Sequence, residues 1–214
     1  MDGTRNWGDD SPMETRALAS HPRSGRVRRH VREGLETMHP AYFAASMATG
    51  IVSIDCHLLG LQDLSSLLFW GNVLAYGGLW IATVARVVLF PKAFVADWAS
   101  HQRGPGYFTT VAATCVLGSQ FVLLRQAPGI AFTLWVVGLL LWFVCTYTVF
   151  VALTIRENKP SLSEGINGGW LIAVVATQSI CVLGSSVLPD RLGNRDIALF
   201  FLTSFWLCGG MLYT

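Results

Sequence analysis

The chain has 214 residues, 52% hydrophobic and only 13% charged, with a formal net charge of +2 and a mean hydropathy of +0.48. Soluble domains carry about 25% charged residues, so this composition excludes an ordinary water-soluble globule. The near-neutral balance gives no bulk attraction for nucleic acid.

Residues 1–40 are polar, rich in Gly, Pro and mixed charge, and carry seven of the fifteen Lys and Arg and six of the thirteen Asp and Glu. They hold no short apolar core of a signal peptide and read as a disordered cytoplasmic tail. Its cluster Arg23, Arg26, Arg28, Arg29 and Arg32 suits helix orientation or contact with anionic lipid. From Ala41 to Thr214 the charges shrink to islands between long apolar runs. A spanning helix needs roughly 20 apolar residues to cross about 30 Å of hydrocarbon. The runs are continuous rather than alternating, which points to helices and not to barrel strands. Spans are expected over residues 41–60, 66–90, 107–124, 129–155, 169–188 and 197–214. The fold class is therefore all-α, a polytopic transmembrane bundle of about six helices in three hairpins.

The loops alternate in charge. The tail, Arg86, Lys92, Arg103, Arg156 and Lys159 fall on one side; Asp63, Arg125, Arg191 and Arg195 fall on the other. The positive-inside rule puts the first side, with the N-terminus, in the cytoplasm of a cell-membrane protein. Arg86 is expected to snorkel to that surface. The last run closes on Gly209-Gly210-Met211-Leu212-Tyr213-Thr214 without a polar anchor, which reads either as a short final helix ending at the interface or, the favoured expectation, as a chain with further spans beyond Thr214.

Three segments repeat. Ala48-Thr49, Ala113-Thr114 and Ala176-Thr177 each sit in a run of small residues, the alanines 65 and 63 positions apart. That is one helical hairpin per repeat, and it suggests quasi-rotational symmetry. Odd spans carry small and hydroxyl residues in their middles; even spans carry aromatics throughout, such as Trp70, Tyr76, Trp135, Trp142 and Trp206. Small residues recur every four positions at Ala45, Thr49 and Ser53, at Thr110, Thr114 and Gly118, and at Ala173, Thr177 and Cys181, so each set shares one helix face. Two readings remain open. The stripes are close helix–helix contacts of the small-xxx-small kind, or they line a pore in which hydroxyl dipoles meet a partly dehydrated anion. On the second reading the lining set is Thr49, Gly50, Ser53, Thr110, Thr114, Gly118, Thr177, Gln178 and Cys181. Asp55 and His57, late in the first span, either mark the interface or relay protons.

The segment His39-Pro40-Ala41-Tyr42-Phe43-Ala44-Ala45-Ser46-Met47-Ala48-Thr49-Gly50-Ile51-Val52-Ser53-Ile54 resembles the first-helix signature of the tellurite-resistance/dicarboxylate transporter family. That family includes plant slow-type anion channels and fungal malic acid permeases. Asn167-Gly168-Gly169-Trp170-Leu171-Ile172-Ala173-Val174-Val175-Ala176-Thr177-Gln178-Ser179 resembles its fifth-helix signature. The resemblance implies ten helices in five hairpins with quasi-fivefold symmetry, odd helices forming the inner ring, and a homo-trimer. It implies transport of small anions, or of C4-dicarboxylates with protons, and in some members a link to tellurite resistance. Its gating phenylalanine lies on a ninth helix, for which this chain offers no counterpart.

No GxxxxGK[ST], HExxH or GxSxG occurs, and Gly104-Pro105-Gly106 is a turn. The five cysteines, Cys56, Cys115, Cys145, Cys181 and Cys208, form no CxxC pair and read as packing residues. No cofactor, metal or nucleic-acid partner is expected, and the chain is not expected to be an enzyme. The leading expectation is membrane transport of a small anion or dicarboxylate. The alternatives are an integral membrane enzyme built on Asp55, Cys56 and His57, or an inactive membrane scaffold or fragment.

Overall fold

The computed structural model describes residues 23–98, 100, 102–155 and 168–213. Among them the regular structure is entirely helical: α1 (Arg23–Thr37), α2 (Phe43–Leu58), α3 (Gln62–Leu89), α4 (Pro91–Trp98), α5 (Phe108–Arg125), α6 (Pro128–Ile155), α7 (Leu171–Val187), α8 (Pro189–Leu192) and α9 (Arg195–Tyr213). Short 3-10 turns, Pro40–Tyr42, Gly104–Tyr107 and Gly168–Trp170, lead into α2, α5 and α7.

Five helices are long and apolar enough to cross a membrane: α3, α5, α6, α7 and α9. The expected first span is the 16-residue α2. At 1.5 Å per residue it rises about 24 Å, short of about 30 Å of hydrocarbon. Its preceding turn, opened by Pro40 at the first position, adds length at the N-terminal end. The tail departs from expectation more clearly. Arg23–Thr37, assigned to a disordered segment, forms α1. Low apolar content argues against self-standing order, but α1 has a tertiary anchor at its C-terminal end, described below. Residues 1–22 lie outside the described residues.

Tight turns make the hairpins. After α2, Gly60 takes a left-handed φ of 81°, and Leu61 N–H reaches the Cys56 carbonyl at 2.8 Å. After α5, Gln126 takes a φ of 50°. Gln126 N–H bonds the Val122 carbonyl and Ala127 N–H the Phe121 carbonyl, satisfying the last turn before Pro128 opens α6. α2 thus pairs with α3, α5 with α6, and α7 with α9.

The three odd helices, α2, α5 and α7, run parallel and side by side with α5 in the middle. The N-terminal ends of α2 and α5 are tied by the Thr109 hydroxyl, which donates to the Pro40 carbonyl at 3.2 Å, and the turn Gly104–Tyr107 that opens α5 also touches the entry turn of α7. Each even helix backs its own odd helix, and the first two also back the next, α3 reaching α5 and α6 reaching α7. The contacts are equivalent from repeat to repeat. One residue of each even helix, Asn72, Gly138 or Gly209, lies against its own odd partner at Gly50, Cys115 or Gln178. Three residues before and four after it stand aromatics: Phe69 and Tyr76, Trp135 and Trp142, Trp206 and Tyr213. The first two pairs pack on the next odd helix. Phe69 meets Phe121 at 5.2 Å between centroids, and Tyr76 bonds Thr114. Trp135 donates to the Ile180 carbonyl at 3.0 Å, and Trp142 bonds Thr177. Trp206 and Tyr213 are 61% and 70% exposed.

Candidate functional site: a groove on the three parallel helices

Two of the repeated threonines, Thr114 and Thr177, face the even helices α3 and α6. The Thr114 hydroxyl is fully buried, 2.8 Å from the Tyr76 hydroxyl and 2.6 Å from the Thr110 carbonyl. The Thr177 hydroxyl accepts from Trp142 Nε1 at 2.8 Å and donates to the Ala173 carbonyl at 2.8 Å. Thr49, on the first odd helix, is half-buried and bonds the Ala45 carbonyl. In low dielectric a buried indole N–H needs an acceptor, and threonine supplies one without a charge.

The rest of the expected lining set is placed as follows. Ser53 exchanges hydrogen bonds with Ser65, each hydroxyl donating to the other's carbonyl, at 2.9 and 2.7 Å. Thr110 donates to the Tyr107 carbonyl. At Gly50 a Cβ would stand 2.5 Å from Val116 Cγ1 and 2.9 Å from Asn72 Nδ2; at Gly118 it would run into Leu183. Cys181 faces the Leu202 carbonyl of α9. These residues bring the helices close together, which is the small-xxx-small arrangement.

A groove of about 480 Å³ opens on the other face of the same three helices. Its walls are repeat-equivalent: Met47, Ala112 and Val175; Ile51, Val116 and Ser179; Ile54, Ser119 and Val182. These positions lie two before, two after and five after the repeated threonine. Two residues along an α-helix is about 200° of rotation, so the groove face is nearly opposite the threonine face. Of the nine expected lining residues, Gln178 borders the groove, with its amide donating to the Trp206 carbonyl at 3.1 Å. The wall is mainly apolar, with hydroxyls at Ser119, Ser179 and Ser186 and one carboxylate, Asp55, at the end where the odd helices finish. His57 does not join Asp55. Its Nδ1 lies 2.8 Å from Gln62 Oε1 across the hairpin turn, and the intervening Cys56 is buried. Consecutive residues are splayed by about 100°, so Asp55, Cys56 and His57 do not converge. Among the described residues no group of three His, Cys, Asp or Glu could hold a metal.

Behind the groove is a buried polar chain that the sequence hinted at only through isolated amides. Ser46 donates to Asn72 Oδ1 at 2.7 Å, and Asn72 Nδ2 donates to Gln120 Oε1 at 2.6 Å. Both amide side chains are fully buried, and together they join α2, α3 and α5. The signal was the spacing of Asn72 four residues before Tyr76 in the middle of the charge-free run of α3.

At the N-terminal end of the odd helices a second cluster appears. Asp97, on the unexpected short helix α4, ion-pairs with Arg86 at 2.7 Å and Arg103 at 2.9 Å. Arg86 does not snorkel to solvent as expected; it is 3% exposed. Its Nη2 donates to the Glu36 carbonyl, and Arg103 Nη2 donates to the carbonyls of Thr37 and Met38 at 3.2 and 2.7 Å. The end of α1 is thus held by two guanidiniums against its orphan carbonyls and negative dipole end. Asp97 compensates the buried charge, which could not stand alone. Beside it, His39 Nδ1 accepts from Ala41 N–H at 3.1 Å and starts the turn into α2. Burial, aided by Arg103, lowers the His39 pKa and keeps that acceptor unprotonated.

Residues 37–214 match the family described as voltage-dependent anion channel. The chain belongs to that family. Two curated relatives, both uncharacterized transporters of Methanocaldococcus jannaschii, are 27% and 28% identical over 84% and 81% of this chain. The alignments cover 54% and 51% of those proteins, so the chain spans about half the length of the curated relatives it matches. No solved structure matches it significantly. As a member of this family, with five helices long and apolar enough to cross a membrane among its described residues, it is a multi-pass membrane protein.

Proposed function

We propose that the groove on α2, α5 and α7 is one wall of an anion pathway across the membrane, completed by further helices. The supporting observation is that three parallel helices present repeat-equivalent residues to one concavity. Repetition of that kind places equivalent positions around the path at each level. The wall is apolar, with neutral hydroxyls at Ser119, Ser179 and Ser186. Hydroxyl dipoles replace part of the hydration of a small anion without holding it so tightly that it cannot leave. The substrates on this reading are small monovalent anions or C4-dicarboxylates. Asp55 at the rim is the candidate proton carrier for the latter, and His57 is not. A link to tellurite belongs to the same reading. The arginine-rich end, with α1, Lys92 and Arg103, faces the cytoplasm of a cell-membrane protein. Assembly as a homo-trimer accords with the wide exposed apolar faces of the even helices, such as Leu74, Ile81, Leu140 and Phe200.

The test separates the two faces of the odd helices. In the membrane, Ser119→Cys and Ser179→Cys should react with a small charged thiosulfonate added from water, and Thr114→Cys should not. In anion-flux measurements on proteoliposomes, with the wall completed by the remaining half of the family length, Ser119→Leu with Ser179→Leu should cut flux at least tenfold. Labelling of Thr114→Cys with silence at both serines would sink the assignment.

A further inference from the structure

α1 lies outside the apolar bundle, yet its position is fixed. Its final carbonyls are held by Arg86 and Arg103, and Arg32 stands 5.6 Å over the Phe90 ring at the end of α3. Those contacts tie α1 to the end of the bundle where α3 leaves the apolar layer and α2 enters it. Only the residues Met38–Tyr42 separate α1 from α2, so the helix cannot travel far from the membrane surface. Within Arg23–Thr37 there are five arginines and two glutamates. Arg29 and Glu33 form an ion pair at 3.1 Å, with side chains 82% and 57% exposed. One arginine is thus spent on a surface pair of small value, and by sequence the segment carries three more arginines than glutamates. Val31 is 57% exposed and Tyr42, at the entry to α2, also 57%. Apolar and aromatic side chains at that level suit the interfacial region of a bilayer.

We infer that α1 is an anionic-lipid binding arm: a basic helix latched at the membrane boundary, where its arginines meet the phosphates of acidic headgroups. The latch sets the position and the arginines set the lipid class. The arrangement is independent of whether the groove conducts. Zwitterionic lipid offers phosphates already neutralised by choline, whereas acidic lipid gives a negative surface potential that attracts each basic residue. The Arg86–Asp97–Arg103 cluster carries a net positive charge, balanced further by the carbonyl end of α1. Lipid engagement of α1 is therefore mechanically connected to the N-terminal ends of α2 and α5 through Arg103 and the adjoining turns.

The experiment uses the full chain in nanodiscs of phosphatidylcholine alone or with about 30% phosphatidylglycerol, with hydrogen exchange followed at residues 23–37. Exchange should be at least roughly tenfold slower in the acidic discs, and the difference should shrink as salt screens the surface. Arg26→Gln, Arg29→Gln and Arg32→Gln combined should abolish the difference while leaving the exchange of α5 and α7 unchanged. Equal exchange in the two lipids would overturn the inference. So would a difference that survives in the triple variant, or protection of α1 by an added oligonucleotide where acidic lipid gives none.

Discussion

Removing the Thr177 hydroxyl while keeping its shape tests whether the repeated threonines hold the bundle together. Thr177→Val leaves Trp142 Nε1 without the acceptor that stands 2.8 Å away. Thr177 is fully buried and Trp142 is 8% exposed, so water cannot readily substitute. The second hydrogen bond of Thr177, to the Ala173 carbonyl, costs little to lose, because that carbonyl is already in the helix ladder. Lipid is as apolar as valine, so no area term rewards the change. A buried donor left unpaired costs about 1–3 kcal/mol, whereas side-chain hydrogen bonds between membrane helices average about 0.6 and reach about 1.7 kcal/mol. The expected loss is therefore about 1–2 kcal/mol. Trp142→Phe removes the donor together with part of the ring packed 5.0 Å from Phe205, and is expected to cost more. In the cycle of both single variants and the double, the coupling should be about 0.6–1.7 kcal/mol. Reversible unfolding of the purified protein in mixed micelles measures all four. The water-side reactivity of Ser179→Cys should be unchanged by Thr177→Val. Coupling near zero, or a groove label that vanishes with Thr177→Val at unaltered stability, would refute the placement of the threonine on the packing face.

Gly184→Ala should destabilise the protein by about 1–3 kcal/mol through overpacking, since the added Cβ would stand 2.5 Å from Leu202 Cδ2 and 2.9 Å from Trp135 Nε1; the same unfolding assay reads it. Asp97→Ala strands Arg86 and Arg103 beside each other and should cost on the order of 3 kcal/mol, with α1 amides exchanging faster as the latch fails. Because the His39 pKa is lowered in the folded protein, the turn it caps should hold above the ordinary histidine value of 6.5 and weaken as pH falls below that value toward the folded pKa. His39→Asn, which keeps an acceptor for Ala41 N–H, should remove that pH dependence when α1 exchange is followed between pH 7.5 and 5.

Some of this protein was set by the sequence itself. Charge-free apolar runs admit only helices in lipid, because every backbone group must be bonded within its own segment. The Ala-Thr repeat marks the odd helices as equivalent, and the aromatic even helices as their partners. α1 was not legible, because its order depends on Arg86 and Arg103, 50 and more residues away, donating to its last carbonyls. α4 and the buried ion cluster were hidden in the same way: a charge between two spans looks like a solvent loop until a partner folds over it.

The face of the odd helices that lines the groove was decided by tertiary structure alone. Small residues at four-residue spacing identify a face that something approaches closely, but a neighbouring helix and a passing ion leave the same trace in sequence. In this structure the indole of Trp142 and the phenol of Tyr76 occupy the threonine side of α7 and α5. The groove then falls to Ile51, Val116 and Ser179, whose mixed chemistry carries no pattern in one dimension and becomes a surface only when three helices are set in register.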